Sequence, residues 1–353
     1  NLWFLTRMPT FSTLRRDADE FVAHTRFAEA LRGQTILITG ATGLIGATLV
    51  RCLCALNQAH ALGLRLLLPV RSVDKARRLL PADCGLLFQS SLSELSATCP
   101  ARSVDYIIHG AAPTASKSFV AQPVETLDAI FNGTRAVLDF ARVAEAKSIV
   151  YLSSIEVYGR ITNDEVPITE ADQGYIDPLA PRSSYSLGKR AAECLCRAYA
   201  SEYGTPVKIA RLTQTFGAGV GREDGRVFAM FARAALQKQD ITLLSTGETR
   251  HNYLYTTDAA EALLTLLFKG TNGEAYNVAD ADNYASIREV GESVLQSFAP
   301  EQRLRIQLQP DAPYPPTTRL RLSTEKLLAL GWKPRVGREE MFRRVIEAMQ
   351  EEE

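Results

Sequence analysis

The chain lacks the net charge and the long apolar segments that would associate it with nucleic acids or membranes. Its 353 residues hold 40 Lys and Arg against 40 Asp and Glu, so the formal net charge is zero. A nucleic-acid-binding domain usually carries a clear excess of basic residues. No apolar run approaches the ~18 residues that a membrane-spanning helix needs, and the apolar stretch at the start is too short for a secretory signal. We therefore expect a cytoplasmic protein with no nucleic-acid or membrane partner.

Cysteine is sparse, and its spacing fits no metal site. The six cysteines form no zinc-binding pattern with histidine or with one another. Cys52 with Cys54, and Cys194 with Cys196, fall within helical patterns, where we expect buried thiols that act as small hydrophobic groups. Reduced thiols are typical of the cytoplasm. We predict no metal.

Short apolar runs alternate with helical patterns from Thr35 to Leu212. Near-continuous apolar runs are typical of parallel strands that are buried on both faces. We predict strands at Thr35–Thr39, Leu64–Val70, Leu86–Phe88, Val104–His109, Ile149–Ser153 and Val207–Leu212. We predict helices at about Leu44–Leu56, Val73–Leu80, Val124–Ala146 and Tyr185–Tyr203. The alternation indicates an α/β fold with a Rossmann-type, doubly wound parallel sheet.

The pattern changes after Leu212. A Gly-rich loop, a helix to Gln237 and short strands follow, and a proline-rich loop at Pro310–Pro316 breaks the last segment. We divide the chain into a helical lead-in at 1–33, a Rossmann domain at 34–212 with returning elements near 246–270, and a smaller, mostly substrate-binding C-terminal α/β lobe at 213–353.

A glycine-rich turn, Thr39–Gly46, follows the first predicted strand and opens the next helix. Its glycines permit a tight turn, and the unpaired N–H groups of a helix start attract a pyrophosphate. A purely structural turn is the alternative, but the order strand, turn, helix favours a dinucleotide. The predicted cofactor contacts in the turn are Gly40, Thr42, Gly43, Leu44, Ile45 and Gly46.

The second strand ends at Val70-Arg71-Ser72, without the acidic residue that holds the ribose of NAD. Arg71 is placed to meet a 2′-phosphate, which slightly favours NADP. A solvent-facing arginine at the start of the next helix is the alternative. We predict a tightly bound NAD or NADP.

Tyr185 and Lys189 are spaced to share one helix face. A neighbouring cation favours the tyrosine phenolate and lowers a pKa that is otherwise near ~10. Such spacing also arises by chance on solvated helices. It gains meaning from the glycine turn and from Ser153-Ser154 at the end of an apolar strand.

Together these motifs resemble the extended short-chain dehydrogenase/reductase family, and more narrowly its nucleotide-sugar epimerases, dehydratases and decarboxylases. The likeness runs from about Gln34 to Glu292. Pro181–Tyr185, Gly188-Lys189-Arg190 and Glu156 are similar to the UDP-glucuronate decarboxylase branch.

The resemblance implies a role for each residue of the catalytic centre. Tyr185 takes the proton of a sugar C4 hydroxyl while a hydride passes to the nicotinamide. Lys189 binds the nicotinamide ribose, and Ser154 hydrogen-bonds the reacting oxygen, with Ser153 as the alternative. Glu156 shuttles a proton at C5 in the second step, unless it only pairs with an arginine. Its neighbour is Ile155, not the aspartate of sugar 4,6-dehydratases, so dehydration is disfavoured.

Other positions assigned by resemblance depart from the family pattern. Gln214 stands where an asparagine contacts the substrate diphosphate, and His251, with Arg250 beside it, stands where an arginine is usual. His251 is alternatively an ordinary polar residue. Ser91, with Leu92, stands near the adenine in place of an aspartate. The remaining assignments are Ala111 and Ala112 beside the nicotinamide, Arg182 near the substrate, and Lys117, which faces the substrate or solvent.

We predict an enzyme that oxidises C4 of a nucleotide-diphosphate sugar and then decarboxylates or epimerises the 4-keto intermediate. An NADPH-dependent carbonyl or 4-keto-sugar reductase is the alternative. A sugar 4,6-dehydratase and a non-catalytic dinucleotide sensor are minor ones. The resemblance also implies a homodimer formed through the long helices near Val124–Ala146 and Tyr185–Tyr203.

Overall fold

A seven-stranded parallel sheet forms the centre of the protein. The computed structural model describes residues 12–351 except residue 115 and residues 310–316, so the predicted proline-rich loop and residues 1–11 of the lead-in lie outside the described residues. The sheet has the spatial order β10–β6–β5–β4–β1–β2–β3. Its strands are β1 (Thr35–Thr39), β2 (Arg65–Val70), β3 (Leu86–Gln89), β4 (Tyr106–His109), β5 (Ser148–Ser154), β6 (Val207–Leu212) and β10 (Ala275–Val278).

The predicted doubly wound α/β sheet is confirmed. All six neighbouring pairs of these strands are parallel. The chain order reverses between β1 and β4, and ligands of such sheets bind at the carboxyl ends of the strands at this reversal. The turn at Gly40–Gly46 lies at this point.

Helices cover both faces of the sheet. Within the described residues they are α1 (Thr13–His24), α2 (Leu44–His60), α3 (Val73–Leu79), α4 (Leu95–Thr98), α5 (Ser116–Ala121), α6 (Pro123–Val143), α7 (Ser183–Tyr203), α8 (Val227–Gln237), α9 (Thr256–Lys269), α10 (Ile287–Phe298), α11 (Glu325–Leu328) and α12 (Arg338–Glu351). Successive strand residues point to opposite faces. Ile36 and Ile38 accordingly pack in the cluster that contains Leu263 of α9, whereas Leu37 packs in the one that contains Val137 of α6. The helix α7, which carries Tyr185 and Lys189, lies on the second face.

The strand β10 comes from a segment that the sequence analysis placed in the substrate lobe. The helix α9 falls within the returning segment predicted near 246–270 and packs on the sheet. The returning part continues beyond it, because the buried side chains of Tyr276 and Val278 join the same core as α9. The boundary at 212 therefore needs this correction.

The smaller lobe contains a four-stranded sheet around β9. Its strands are β7 (Gln214–Phe216), β9 (Arg250–Tyr255), β11 (Tyr284–Ser286) and β13 (Arg319–Leu320), while β8 (Ile241–Leu243) pairs with β12 (Leu304–Ile306). Phe216, Phe228 and Phe342 form an aromatic core between this sheet and helices α8 and α12. The small sheet thereby brings one face of β9 toward the end of β5.

The described end of the lead-in is tied to the C-terminal helix by buried charges. Arg344 of α12 contacts Asp17 at 2.8 Å and Glu20 at 2.7 Å. The Tyr255 hydroxyl also donates to Asp17, at 2.7 Å. Burial raises the pKa of Asp17 to about 6, because the carboxylate loses water that its partners only partly replace. The helix α1 is therefore an integral part of the folded protein.

Of the four cysteines that the sequence analysis expected to be buried in helices, three are buried. Cys52, Cys54 and Cys196 are buried, but Cys194 is exposed. Residues two apart on a helix point in different directions, so one member of the pair in α7 faces outward. Among the described helices, none is both long and apolar enough to cross a membrane.

Candidate active site

The turn between β1 and α2 has room only for glycine at its key positions. Gly40 has a φ of +75°, and a Cβ on it would lie 2.7 Å from the carbonyl carbon of Gly110. A Cβ on Gly46 would collide with the Gly40 carbonyl oxygen. Gly43 caps α2 without any side-chain hydrogen bond, so the N–H groups at the helix start remain available to an anion. These features fit the pyrophosphate of a dinucleotide.

The other predicted cofactor residues lie at the same edge of the sheet. Arg71 directly follows β2 and is exposed. Ser91 lies just beyond β3, but its hydroxyl donates to the carboxylate of Glu94 at 2.6 Å. Three more half-buried residues complete this edge: Leu92, Ala111 and Ala112. The topology thus collects residues from three strand ends beside the glycine turn.

Ser154, Tyr185 and Lys189 lie where β5 ends beside α7. Tyr185 and Lys189 are both buried, and the Ser154 hydroxyl lies close enough to Tyr185 to lower the pKa of the tyrosine. The alternative residue, Ser153, instead donates to Glu193 at 2.5 Å. Ser153 is thus engaged by Glu193, and Ser154 is the serine whose hydroxyl acts on the tyrosine.

The state of Tyr185 differs from the expectation that Lys189 favours its phenolate. The pKa of Tyr185 is raised to about 12, first by burial and then by the negative charge of Glu156. The Lys189 ammonium donates to the Leu152 carbonyl at 2.6 Å and lies closer to the ring of Tyr151, at 4.8 Å, than to that of Tyr185, at 5.9 Å. Burial lowers the pKa of Lys189 itself to about 8. Tyr185 is therefore a neutral phenol at pH 7.

Glu156 forms a bidentate ion pair with Arg182. Two guanidinium nitrogens of Arg182 lie 2.9 and 3.2 Å from the two carboxylate oxygens. The Ser186 hydroxyl also donates to Glu156, at 2.8 Å. Glu156 lies in a short 3-10 turn, Ile155–Tyr158, directly after β5, while Arg182 precedes α7. The arginine pairing that the sequence left open is thus present, and it lies beside Tyr185.

His251 and Arg250 lie on opposite faces of β9. Half-buried His251 is within electrostatic reach of Glu156, and its burial lowers its pKa to about 4, so it is neutral at pH 7. Arg250 instead contacts Glu289 at 2.9 Å and lies 3.9 Å from Asp164. Because side chains alternate along a strand, His251 faces Glu156 and Arg250 faces away from it. The assignment of both residues to the substrate stays a prediction.

The remaining two predicted substrate residues are Gln214 and Lys117. Gln214 begins β7 just beyond the carboxyl end of β6 and is half buried. It therefore lies at the same sheet edge as Ser154, since Leu212 is the register partner of Ser154. Lys117 belongs to α5, but its side chain lies outside what the structure describes.

The sequence analysis missed two residues at the site, Phe119 and His109. The Phe119 ring stacks on Tyr185, with centroids 4.2 Å apart and an interplanar angle of 11°. His109, at the end of β4, is hydrogen-bonded to Thr39 at 2.7 Å and to Thr134 at 3.2 Å. Its burial lowers its pKa to about 3, so it stays neutral. A histidine ending a buried strand was a signal for His109, whereas nothing local marks Phe119.

The family model described as the NAD dependent epimerase/dehydratase family matches residues 36–279. The chain belongs to this family. UDP-glucuronic acid decarboxylase 1 of Danio rerio is 31% identical over 245 residues, which cover 69% of this chain and 57% of that protein. UDP-glucuronic acid decarboxylase 6 of Arabidopsis thaliana is 30% identical over 235 residues, or 66% of each chain. The first of these matches thus spans little more than half of its relative. The family assignment confirms the predicted resemblance to the nucleotide-sugar epimerase and dehydratase type.

Several solved structures share the fold of this chain over about 90% of its length. UDP-glucose 4-epimerase of Thermotoga maritima, solved with UDP-glucose, has a TM-score of 0.74 at 21% identity and covers 90% of this chain and 99% of its own. A dTDP-glucose 4,6-dehydratase of Streptomyces venezuelae, solved with NAD, has a TM-score of 0.74 at 22% identity, with coverage of 90% and 97%. RMD of Pseudomonas aeruginosa, solved with NADPH, has a TM-score of 0.70 at 25% identity, with coverage of 91% and 100%.

Proposed function

We propose that this protein oxidises C4 of a nucleotide-diphosphate sugar with a retained NAD or NADP and then decarboxylates or epimerises the 4-keto sugar. The observation that carries the proposal is the cluster of Ser154, Tyr185 and Lys189 at the end of β5, next to the glycine turn. Decarboxylases among the relatives and an epimerase among the similar structures support both second steps.

In the first step, Ser154 and Tyr185 handle the proton of the C4 hydroxyl. Bound at the glycine turn, the dinucleotide supplies a hydride acceptor and, when oxidised, a positive charge that favours the Tyr185 phenolate. Ser154 is placed to hold the reacting oxygen, because its hydroxyl lies close to Tyr185. Tyr185 then accepts the hydroxyl proton, with Lys189 as the nearby cation. Stacking on Phe119 fixes the plane of the tyrosine ring.

In the second step, Glu156 acts next to the new ketone. Oxidation at C4 acidifies C5 and makes a C6 carboxylate a β-keto acid. Loss of CO2 breaks the C5–C6 bond and leaves the electron pair on the enolate, which takes a proton at C5. Glu156 lies near enough to raise the pKa of Tyr185, so it is placed to move that proton. A reduced dinucleotide bound at the glycine turn would supply the hydride that reduces C4 again.

A panel of UDP-, dTDP-, CDP- and GDP-sugars, read by mass spectrometry and NMR, tests this proposal. Loss of CO2 from a uronic acid is expected for a decarboxylase, and unchanged mass with inverted stereochemistry for an epimerase. Loss of water would instead identify a dehydratase. No conversion of any nucleotide sugar by cofactor-loaded protein would contradict the proposal.

A net carbonyl or 4-keto-sugar reductase is the second candidate, favoured by the exposed Arg71 at the end of β2. Such an enzyme releases oxidised cofactor at every turnover, whereas the first proposal requires cofactor that copurifies. Empty protein that consumes NADPH in proportion to a ketone would support the reductase.

We also propose a cytoplasmic homodimer formed through α6 and α7. Exposed apolar side chains on these helices support the interface, notably Val124 at 74% and Val143 at 77% exposure. Light scattering coupled to size exclusion tests it, and a monomer at micromolar concentration would contradict it.

A further inference from the structure

The ion pair between Arg182 and Glu156 lies in the open part of the site. The Arg182 side chain is 35% exposed and that of Glu156 is 29% exposed. Arg182 caps the start of α7 and lies three residues before Tyr185, close enough for its charge to act on the phenol. Its guanidinium also lies 5.8 Å from the centroid of the Phe119 ring. The arginine thus borders the volume next to the reacting phenol.

The geometry of this pair is the one in which arginine binds any carboxylate. A guanidinium presents a planar fork that matches two carboxylate oxygens, and both oxygens of Glu156 occupy that fork. Ion pairs that water reaches contribute little net free energy. An incoming carboxylate of the same shape can therefore take the place of Glu156 at small cost. Glu156 would keep its hydrogen bond from Ser186.

We propose that Arg182 is the carboxylate-binding residue of this site. Glu156 stays paired with Arg182 until a substrate carboxylate replaces Glu156 as the partner of the arginine. The inference rests on the proposed function and narrows its substrate class to sugars that carry a carboxylate. Arg182 then acts as a specificity residue, because a neutral hydroxymethyl group at C6 offers it no matching pair of oxygens.

The exchange couples the charge of the substrate to the state of the catalytic groups. In the free protein the negative charge of Glu156 raises the pKa of Tyr185, and the positive charge of Arg182 lowers it. A substrate carboxylate on Arg182 releases Glu156 to act at C5. Once CO2 has left, the neutral product no longer competes, and Glu156 returns to Arg182. The same pair therefore favours binding of the acid and release of the product.

Equilibrium binding separates this role from a structural one. The probes are UDP-glucuronate and UDP-glucose, which differ only at C6, added to full-length Tyr185→Phe protein saturated with NAD so that no turnover occurs. Since hydrogen bonds to a charged group are worth about 1.5–3 kcal/mol, Arg182→Gln is expected to weaken UDP-glucuronate binding by about 10–100-fold. Binding of UDP-glucose should change by less than about twofold.

Glu156→Gln is expected to change the affinity for UDP-glucuronate in the opposite direction, which makes it the most discriminating variant. It removes the competing carboxylate, so UDP-glucuronate should bind several-fold more tightly while UDP-glucose is unaffected. Arg160→Gln, which removes an exposed arginine four residues after Glu156, is the matched control and should alter neither ligand. If Arg182→Gln does not fold, Arg182→Lys keeps the charge without the fork and should give an intermediate loss.

The outcomes distinguish the two proposals. Equal affinity for both ligands, with no selective effect of Arg182→Gln, overturns the carboxylate site but leaves C4 oxidation of a neutral sugar standing. Weaker binding of the acid in Glu156→Gln also overturns the exchange. Absence of binding by either nucleotide sugar overturns the proposed function and this inference together.

Discussion

The edge of the sheet that carries the glycine turn and the face of β9 toward Glu156 form the two halves of the site, and they differ in how the sequence specifies them. In the half that carries the glycine turn, residues close together in the sequence determine the structure. Gly40, Gly43 and Gly46 build a turn whose backbone excludes side chains. At the second, the residues come from distant segments, and a single step along β9 separates His251 from Arg250. The first half is therefore specified by local sequence, whereas the second depends on contacts between distant segments.

The largest effect is expected from removing the Tyr185 hydroxyl, which joins the two halves. Tyr185→Phe should lower kcat by about 10³-fold, because general acid–base groups contribute about 10²–10⁴-fold. Steady-state turnover of the sugar identified by the panel checks this. Tyr175→Phe, at an exposed tyrosine, should have no effect. Unchanged activity in Tyr185→Phe would argue for a dinucleotide sensor.

Gly46→Ala tests the cofactor half alone. The added Cβ meets the Gly40 carbonyl, and overpacking of this kind costs about 1–3 kcal/mol of the free energy of unfolding. We expect a lower Tm and loss of copurifying cofactor. Gly221→Ala, where a Cβ meets no atom within 4 Å, is the control. Normal cofactor content in Gly46→Ala would contradict the assigned turn.

His251 and Arg250 test the substrate half. We expect His251→Ala to raise KM by about tenfold, the effect of losing roughly 1.4 kcal/mol of binding. Arg250→Ala should leave KM unchanged, because its partners Glu289 and Asp164 lie on the other face. Steady-state kinetics decide between them. A raised KM in Arg250→Ala with a normal one in His251→Ala would reverse the assignment of the two faces.

A smaller effect is expected in the dependence of kcat on pH. Lys189 has a pKa lowered to about 8 by burial, so its ammonium is lost as pH rises through about 8, and kcat should fall there. The charge of Glu193 raises that pKa, so Glu193→Gln should move the alkaline limb to lower pH by roughly one unit or less. Glu202→Gln, at the exposed end of α7, should not move it. An alkaline limb that stays in place in Glu193→Gln would remove Lys189 from the profile.

Local sequence predicted most of the sheet and the helix α7 on which Tyr185 and Lys189 lie buried. The apolar runs of the strands, the glycine turn and the spacing of Tyr185 and Lys189 are short-range signals. Such signals do not depend on contacts with distant parts of the chain. The predictions failed where tertiary contacts decide the outcome. The pKa of Tyr185 depends on burial and on Glu156, and β10 joins the sheet from a segment far along the chain. Phe119 enters the site through the path of α5, which no local pattern specifies.

The most direct test of C4 oxidation with a retained cofactor uses UDP-glucuronate carrying deuterium at C4, incubated with protein as purified and no added NAD or NADP. The account predicts conversion to a product that has lost CO2 and still carries the deuterium at C4, because the transferred hydride returns to the same sugar. Deuterium recovered in free reduced cofactor, or a decarboxylated product that has lost the deuterium from C4, would contradict it.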